Sequence, residues 1–454
     1  MTKVCFCGIS GNGMSPLAQI LSLKGYEVYG SDRSFDNGLD NENRSALEKQ
    51  GIKIIPQDGS AITPDMTIYV SAALDQNNPD IKSALKLGLP IKQRSDLLAE
   101  IFSEYPFGIA VGGTSGKTTT TAMIGYILDK LGKLPCMING GMLRNYQHLE
   151  FLPNFIYNQD EICVIEADES DGSICKYYPR IGLINNISHD HTSMEKLIEY
   201  FNIFASHCSD AIVVNYDCEL TRNIKHHNKV ISFSTKNPHA DFYADNIQFV
   251  KDGIKYDFKN HTFSLKLYGS FNVSNVMAAI AVCAQVGINP LDAAKTLESF
   301  TGIKRRLEIV GITQNNITLI DDFAHNPSKI ESSIKALKDY AGRLIIMYQS
   351  HSAFSAQNTG SEVAEVIAKT LGENDIFLMP EVYMLDKNKD IGITAKNIIK
   401  TINNLGFANA FFFDTKSQIR DYIIKNAQPH DRIIIMGARD NTLPKFSRSL
   451  LKEL

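Results

Sequence analysis

Residues 112–120 read GGTSGKTTT. The run before them, FGIAV, is short and apolar, and the run after them, TTAMIGYILDKLG, repeats its apolar residues at helical spacing. A glycine-rich turn therefore joins an expected strand to an expected helix, with Lys117 and Thr118 at the helix start. Backbone N–H groups at a helix N-terminus attract phosphate oxygens. Lys117 adds a mobile positive charge for the outer phosphates, and the Thr118 hydroxyl is the kind of ligand that Mg²⁺ takes. Gly113, Thr114, Ser115, Gly116 and Thr119 complete the cradle. The pattern is a variant of G-x-x-x-x-G-K-[ST]: Val111 stands at the first glycine position, and Gly112 and Gly113 supply the flexibility. The plain alternative is an ordinary strand-to-helix turn.

Other polar clusters sit where apolar runs end. VIEADESDGS (164–173) offers Glu166, Asp168, Glu169 and Asp171 at the carboxyl end of a strand, where ligands of open α/β sheets bind. Carboxylates there suit a cation beside a triphosphate; the alternative is a solvated acidic loop. LINNISHDHTS (183–193) ends another strand with His189, Asp190 and His191. In IDDFAHNPSK (320–329), Asp322 is placed to accept from a ribose hydroxyl, and His325 to reach a phosphate or an attacking amine. Upstream, TGIKRRLE puts Arg305 and Arg306 where a guanidinium reaches a phosphoryl group or forms a surface ion pair. Near the N-terminus, CGISGNGMS (7–15) opens a helix, with Gly8, Ser10, Gly11, Gly13, Met14 and Ser15 in the turn. Asp32 ends the next strand, where a ribose-binding acid belongs. Ser10 breaks the dinucleotide fingerprint, so the turn points to a pyrophosphate on a helix N-terminus more than to NAD.

The elements that must hold these residues fall into three stretches of an α/β chain. Residues 1–104 alternate strands (KVCFCGI, YEVYGSD, GIKII, MTIYVSA) with helices and read as a Rossmann-like domain. Residues 105–303 read as a P-loop ATPase-like domain. It has an antiparallel β addition between about 240 and 267, turning at Asp252–Gly253. Residues 304–454 hold five more strands (ITLIDDFA, RLIIMYQS, DIFLMPEV, ANAFFFD, DRIIIMGA) and read as a second Rossmann-like domain. The 454 residues match three domains at ~150 residues each. A net charge of -4 gives no basic excess for nucleic acid, and no apolar run reaches the ~18 residues of a membrane span. The first ten residues reach a glycine turn too early for a secretory signal. The eight cysteines contain no C-x-x-C pair and read as reduced, packed thiols of a cytoplasmic protein.

Taken together, the motifs resemble the Mur ligases, which build the peptide of bacterial cell-wall precursors. The resemblance runs along nearly the whole chain and keeps the family's order: GTSGKTTT, EADESD, NIS-DH, FNVSNVMAAIA, TGIKRRLE and DDFAHNP. It implies an ATP-dependent ligase with ATP and Mg²⁺ as cofactors and UDP-N-acetylmuramate as one substrate. The first domain would hold the UDP-sugar, the second ATP and Mg²⁺, and the third the amino component. Lys117 would hold ATP phosphates and Thr118 one Mg²⁺, with Glu166 and His191 on a second. Asn275 would contact adenine, Arg306 the phosphate and Asp322 the ribose, with His325 near the reacting groups. The Gly8–Gly13 turn would cradle the UDP pyrophosphate.

GISGNGMS…YGSD and QRSDLLAEI are closest to the branch that adds L-alanine, and to the branch that attaches a recycled murein tripeptide. Residues 197–223 contain no lysine, as in the alanine-adding type. Departures fall in the third domain. QSHSAFSAQ has Ser350 and Ser352 where that type has proline and arginine, a second histidine is absent after His325, and GARDNTLPKFSRSL is unusual. These changes lie where the amine should dock, so L-alanine, a tripeptide and another acceptor all stay open. Outside the ligases, an NAD-dependent oxidoreductase and a non-catalytic nucleotide-binding protein are the rival readings.

Overall fold

The computed structural model describes residues 2–71, 74–75, 77–147, 150–188, 193–226, 229–350, 352–383, 394–438 and 440–454. They form two compact units. One gathers Met1–Ile247, Lys255–Leu265 and Asn272–Ile303; the other gathers Gln248–Ile254, Lys266–Phe271 and Lys304–Leu454. Three sheets organise the chain.

The first sheet has five parallel strands in the order Lys53–Ile54, Glu27–Ser31, Lys3–Cys7, Met66–Val70 and Ile91–Gln93. Alternation along Lys3–Cys7 sends Val4 and Phe6 into one core and Cys5 and Cys7 into another, so both faces are covered. After Cys7 the chain turns at Gly8, whose φ of 79° is readily open only to glycine. It then enters helix Ser15–Leu23, with Pro16 in the first turn.

The second sheet has ten strands. At its centre Phe107–Gly112 lies between Ile181–Ile184 and Ile162–Glu166, all parallel. Ile181–Ile184 is buried along its whole length, as a strand covered on both faces must be. Helix Lys117–Lys130 follows the central strand and is buried from Thr120 to Leu128. The expected β addition is present as Phe242–Val250, Gly253–Phe258 and His261–Leu265, though its first turn is Lys251–Asp252 and Gly253 already belongs to the strand. Strands Cys136–Ile138, Phe155–Ile156 and Lys229–Ser234 were not expected from the sequence. The first two are only three and two residues long, too short to show a period.

The third sheet contains the five expected strands and an unexpected antiparallel edge strand, Glu308–Ile312. The last strand in sequence, Arg432–Met436, is inserted between Thr318–Asp322 and Leu344–Tyr348. Arg305 braces the start of this unit: its Nε donates to Asp321 Oδ1 at 3.2 Å and its Nη2 to the Gly437 carbonyl. Burial pushes the Asp321 carboxyl up to about 6, with Arg305 opposing only part of the rise.

A buried polar network supports the glycine turn of the first unit. Asn154 Nδ2 donates to Ser15 Oγ (2.8 Å) and to the Asn12 carbonyl (3.2 Å), and its Oδ1 accepts from Gln19 Nε2. Gln19 Oε1 accepts from Leu152 N. The Asn154 carbonyl accepts from Asn139 N, which leads into Gly140 and Gly141.

Two outcomes follow. Asn154→Ala strands several buried polar groups and should cost about 2–4 kcal/mol, read as a lower urea midpoint; an unchanged midpoint would deny the network any net contribution. The stability contribution tied to Asp321 protonation is fully present below the ordinary 3.8 and lost as pH rises through about 6. Asp321→Asn should remove that fall, on the order of 3 kcal/mol. Parallel stability–pH curves for the two proteins between pH 4 and 7 would contradict it.

Candidate active site

Three neighbouring strand ends of the second sheet converge. From Phe107–Gly112 comes the glycine loop, from Ile162–Glu166 the acidic run, and from Ile184 the segment Asn185–Ser188. From the central strand the chain first builds one side of the sheet, ending in Ile162–Glu166, and then crosses to Ile181–Ile184 on the other side, which makes this a topological switch point.

The loop is held from the side. Thr114 N donates to Asn186 O (3.0 Å) and Ser115 N to Asn186 Oδ1 (2.9 Å), while Asn186 Nδ2 returns a bond to Ser115 O. Gly113 and Gly116 take φ of 128° and 86°. At Gly116 space also matters, because a Cβ there would lie 2.6 Å from Asn275 Oδ1 and 2.8 Å from Asn185 Nδ2. The first helical bond runs from Thr120 N to Gly116 O, so among the described residues the amides from Gly116 to Thr119 have no backbone partner.

Lys117 folds back over the loop. Its Nζ donates to Gly113 O (2.8 Å) and Glu169 Oε2 (2.7 Å), with Asp168 Oδ1 at 3.7 Å. The Lys117 side chain is 13 % exposed and that of Glu169 3 %. Burial alone would depress the ammonium, but Glu169, Asp168 and Glu166 outweigh it and raise its pKa. Burial raises Glu169, and Lys117 offsets this only in part. Burial opposes ionisation of Asp168 too, yet Lys117, the hydrogen bonds from Ser170 and Arg94 bring it below its ordinary range.

Thr118 Oγ1 donates to Glu166 Oε1 at 2.8 Å, and Gly140 N donates to Glu166 Oε2 at 2.9 Å. Glycine is needed at 140, since a Cβ would come within 2.6 Å of that carboxylate. Among the described residues no group of three or more His, Cys, Asp or Glu side chains is set to hold a metal ion. His191, expected as a metal ligand, lies outside the described residues, as do His189 and Asp190. Asn275 is buried beside the loop, with Nδ2 donating to Asn272 Oδ1 (3.0 Å).

In the N-terminal turn, Ser10 N donates to Asp32 Oδ2 and Ser10 Oγ to Asp40 Oδ2. Asp32 Oδ1 accepts from Ser34 N and caps a short helix, so both of its oxygens serve the protein. Gly11 N closes onto Gly8 O, and the amides of Met14 and Ser15 onto Gly11 O. Met14 and Ser15 are buried, the Ser15 hydroxyl accepting from Asn154. They brace the turn from within. Asn154 and Gly140 were missed by sequence reasoning; a lone buried asparagine in a loop carries no signal of its partners.

The second unit carries Arg306, Asp322 and His325. The two adjacent arginines differ. Arg305 is spent on Asp321 and Gly437, whereas Arg306 is exposed; both guanidiniums lie over the Phe323 ring, 5.1 and 5.9 Å from its centroid. Asp322 is buried, and burial raises its pKa. Its Oδ1 accepts from Leu307 N and Phe323 N and its Oδ2 from Ser333 Oγ, so a ribose hydroxyl would have to share these oxygens. His325 Nδ1 lies 2.9 Å from Phe323 O.

Three family models match the chain: the Mur ligase family catalytic domain over residues 3–106, the Mur ligase middle domain over 111–283, and the Mur ligase glutamate ligase domain over 305–439. The UDP-N-acetylmuramate–L-alanine ligase of Caldicellulosiruptor bescii is 32% identical over 456 residues, covering 97% of this chain and 96% of its own. That of Dictyoglomus turgidum is 34% identical over 413 residues, covering 88% and 86%. Among solved structures, the UDP-N-acetylmuramate–alanine ligase of Thermotoga maritima superposes with a TM-score of 0.81 at 25% identity, covering 100% and 99% of the two chains. A murein peptide ligase of Psychrobacter arcticus shares the fold, with a TM-score of 0.68 at 22% identity, covering 100% and 98%. With a lysine-bearing glycine loop, an acidic strand end beside it and relatives matched along almost the entire chain, this protein belongs to the Mur ligase family.

Proposed function

We propose that the protein joins the carboxylate of UDP-N-acetylmuramate to the amino group of L-alanine at the expense of ATP, in the cytoplasm, during cell-wall precursor synthesis. The observation that carries this reading is the Gly113–Thr119 loop with Lys117 folded against Glu169. The named relatives, matched over nearly their full length, favour L-alanine over a tripeptide.

A carboxylate is a poor electrophile. In the proposed reaction one of its oxygens attacks the γ-phosphorus of ATP, ADP leaves, and an acyl phosphate results. The amine then attacks the acyl carbon, and phosphate leaves with the bonding pair. Such catalysis is mostly positioning and charge stabilisation. The open amides from Gly116 to Thr119 bind and orient phosphate. Lys117 has three N–H donors and spends two on the protein, which leaves one for a phosphate oxygen. The Thr118 hydroxyl and the Glu166 carboxylate are hard oxygen donors within hydrogen-bonding distance of each other, a set that fits Mg²⁺, which takes few protein ligands and completes its shell with phosphate and water. Mg²⁺ held there would neutralise phosphate charge. Arg306, exposed beside Arg305, is assigned to the phosphoryl group, Asp322 to the nucleotide ribose, Asn275 to the adenine side and His325 to the amine step. The Gly8–Gly13 turn is assigned to the pyrophosphate of the UDP-sugar.

Product mass tests the reading. Incubation with ATP, Mg²⁺ and UDP-N-acetylmuramate should yield an adduct with L-alanine; an adduct only with L-Ala-D-Glu-meso-diaminopimelate would move the protein to the tripeptide branch, and none with either would sink both. Lys117→Ala should lower turnover by at least ~10²- to 10³-fold. Near wild-type turnover in that variant would remove the phosphate-loop assignment.

A further inference from the structure

Cys136 and Cys163 take no part in the proposed reaction, yet the fold sets them against each other. Strand Cys136–Ile138 pairs in parallel with Ile162–Glu166, and Cys136 is the register partner of Cys163. Registered side chains share a face, and both thiols are free and fully buried in one core with Ile138 and Ile165. Neighbouring strands run about 4.8 Å apart, inside the span of about 4.4–6.8 Å between Cα atoms that a disulfide bridges. The two thiols are unequal. The Cys163 thiol, with the Lys24 ammonium and the Asn158 amide, holds Cys136 below the usual thiol range against the effect of burial. Burial and the Cys136 partner push Cys163 well above it. Tyr105, itself half-buried, stands beside both, with its hydroxyl donating to Asn158 O at 2.8 Å.

Cys136–Ile138 has three residues and the outer strand Phe155–Ile156 two, at one end of the ten-stranded sheet. Short outer strands open locally more readily than a sheet centre, and such opening admits a small oxidant. Beyond Cys136 the chain leads to Gly140 and beyond Cys163 to Glu166, where Gly140 N donates to Glu166 Oε2 at 2.9 Å. Glu166 Oε1 accepts from Thr118. We propose that Cys136 and Cys163 are a peroxide-sensitive dithiol whose disulfide shifts Glu166 relative to Thr118. The Cys136 thiolate attacks one peroxide oxygen; the O–O bond breaks, a sulfenic acid forms and hydroxide leaves to take a proton as water. The Cys163 thiolate then attacks the sulfenic sulfur; the S–O bond breaks and a second water leaves with the remaining proton. A disulfide holds its Cβ atoms about 3.8 Å apart, closer than the strand spacing, so its formation draws the two strands together. The effect on turnover rests on the reading of the Gly113–Thr119 loop as the ATP site.

Treatment of the full chain with hydrogen peroxide, followed by alkylation and peptide mass mapping, tests this. A linked Cys136–Cys163 peptide pair, lighter by two hydrogens and released by dithiothreitol, is expected. Cys163→Ala should leave a sulfenic acid at Cys136 that dimedone captures, and Cys136→Ala should abolish both products. Oxidation of the wild type should slow ATP-dependent product formation about 10- to 100-fold, with recovery in dithiothreitol and no such loss in either variant. Cys136 and Cys163 that stay reduced until unfolding, in protein whose half-buried Cys175 and Cys218 are already oxidised, overturn the proposal. A disulfide that leaves turnover unchanged overturns the coupling to Glu166. A wild type that forms the disulfide but shows no turnover even when reduced overturns the ligase reading instead and leaves the dithiol standing.

Discussion

The ammonium of Lys117 is the constraint around which the first unit's site is arranged. A charge this far from water is tolerated only where other groups compensate it. Compensation comes from the Gly113 carbonyl and from Glu169 and Asp168, more than fifty residues on in sequence. The parallel pairing of Val111 with Glu166 closes that gap, because it brings the acidic run to the mouth of the glycine loop. The same pairing sets Thr118 against Glu166. The loop amides, an ammonium and a hard-oxygen pair thus meet at the ends of two paired strands.

A second constraint is rigidity between the two glycine turns of that unit. Asn154 bonds the N-terminal turn through Ser15 and Asn12, and its carbonyl holds Asn139, next to the Gly140 that donates to Glu166. The network is buried and spends most of its donors, so it specifies one arrangement in place of many. On the proposed assignment of the two turns to the nucleotide sugar and to ATP, a fixed spacing between them favours the in-line meeting of carboxylate and γ-phosphate.

The Arg305–Arg306 pair shows how the third sheet sorts similar residues. Both sit in a strained stretch, with Arg305 at φ 58° and Leu307 at φ 43°. The twist turns Arg305 inward onto Asp321 and Gly437 and leaves Arg306 exposed, with the Phe323 ring beneath both. Backbone strain of this kind persists only where the surroundings hold it. Here the bonds from Phe323 N to Arg305 O and from Leu307 N to Asp322 do so.

Much of this was legible beforehand. Apolar period and turn residues located the five strands of the last sheet, the helix after the phosphate loop and the β addition, because these signals are local. The lysine-threonine loop and the acidic strand end were legible for the same reason: their chemistry lies in residue type and close spacing. What the tertiary structure alone decided depends on which distant segments meet. The insertion of Arg432–Met436 into the middle of its sheet, the locking of Arg305 rather than Arg306, the hydrogen bonds that Asp32 and Ser15 make within the protein, and the place of Asn154 are of that kind. Hydrogen-bond partnership and steric exclusion act through space over a few ångströms, and a linear pattern carries no record of them.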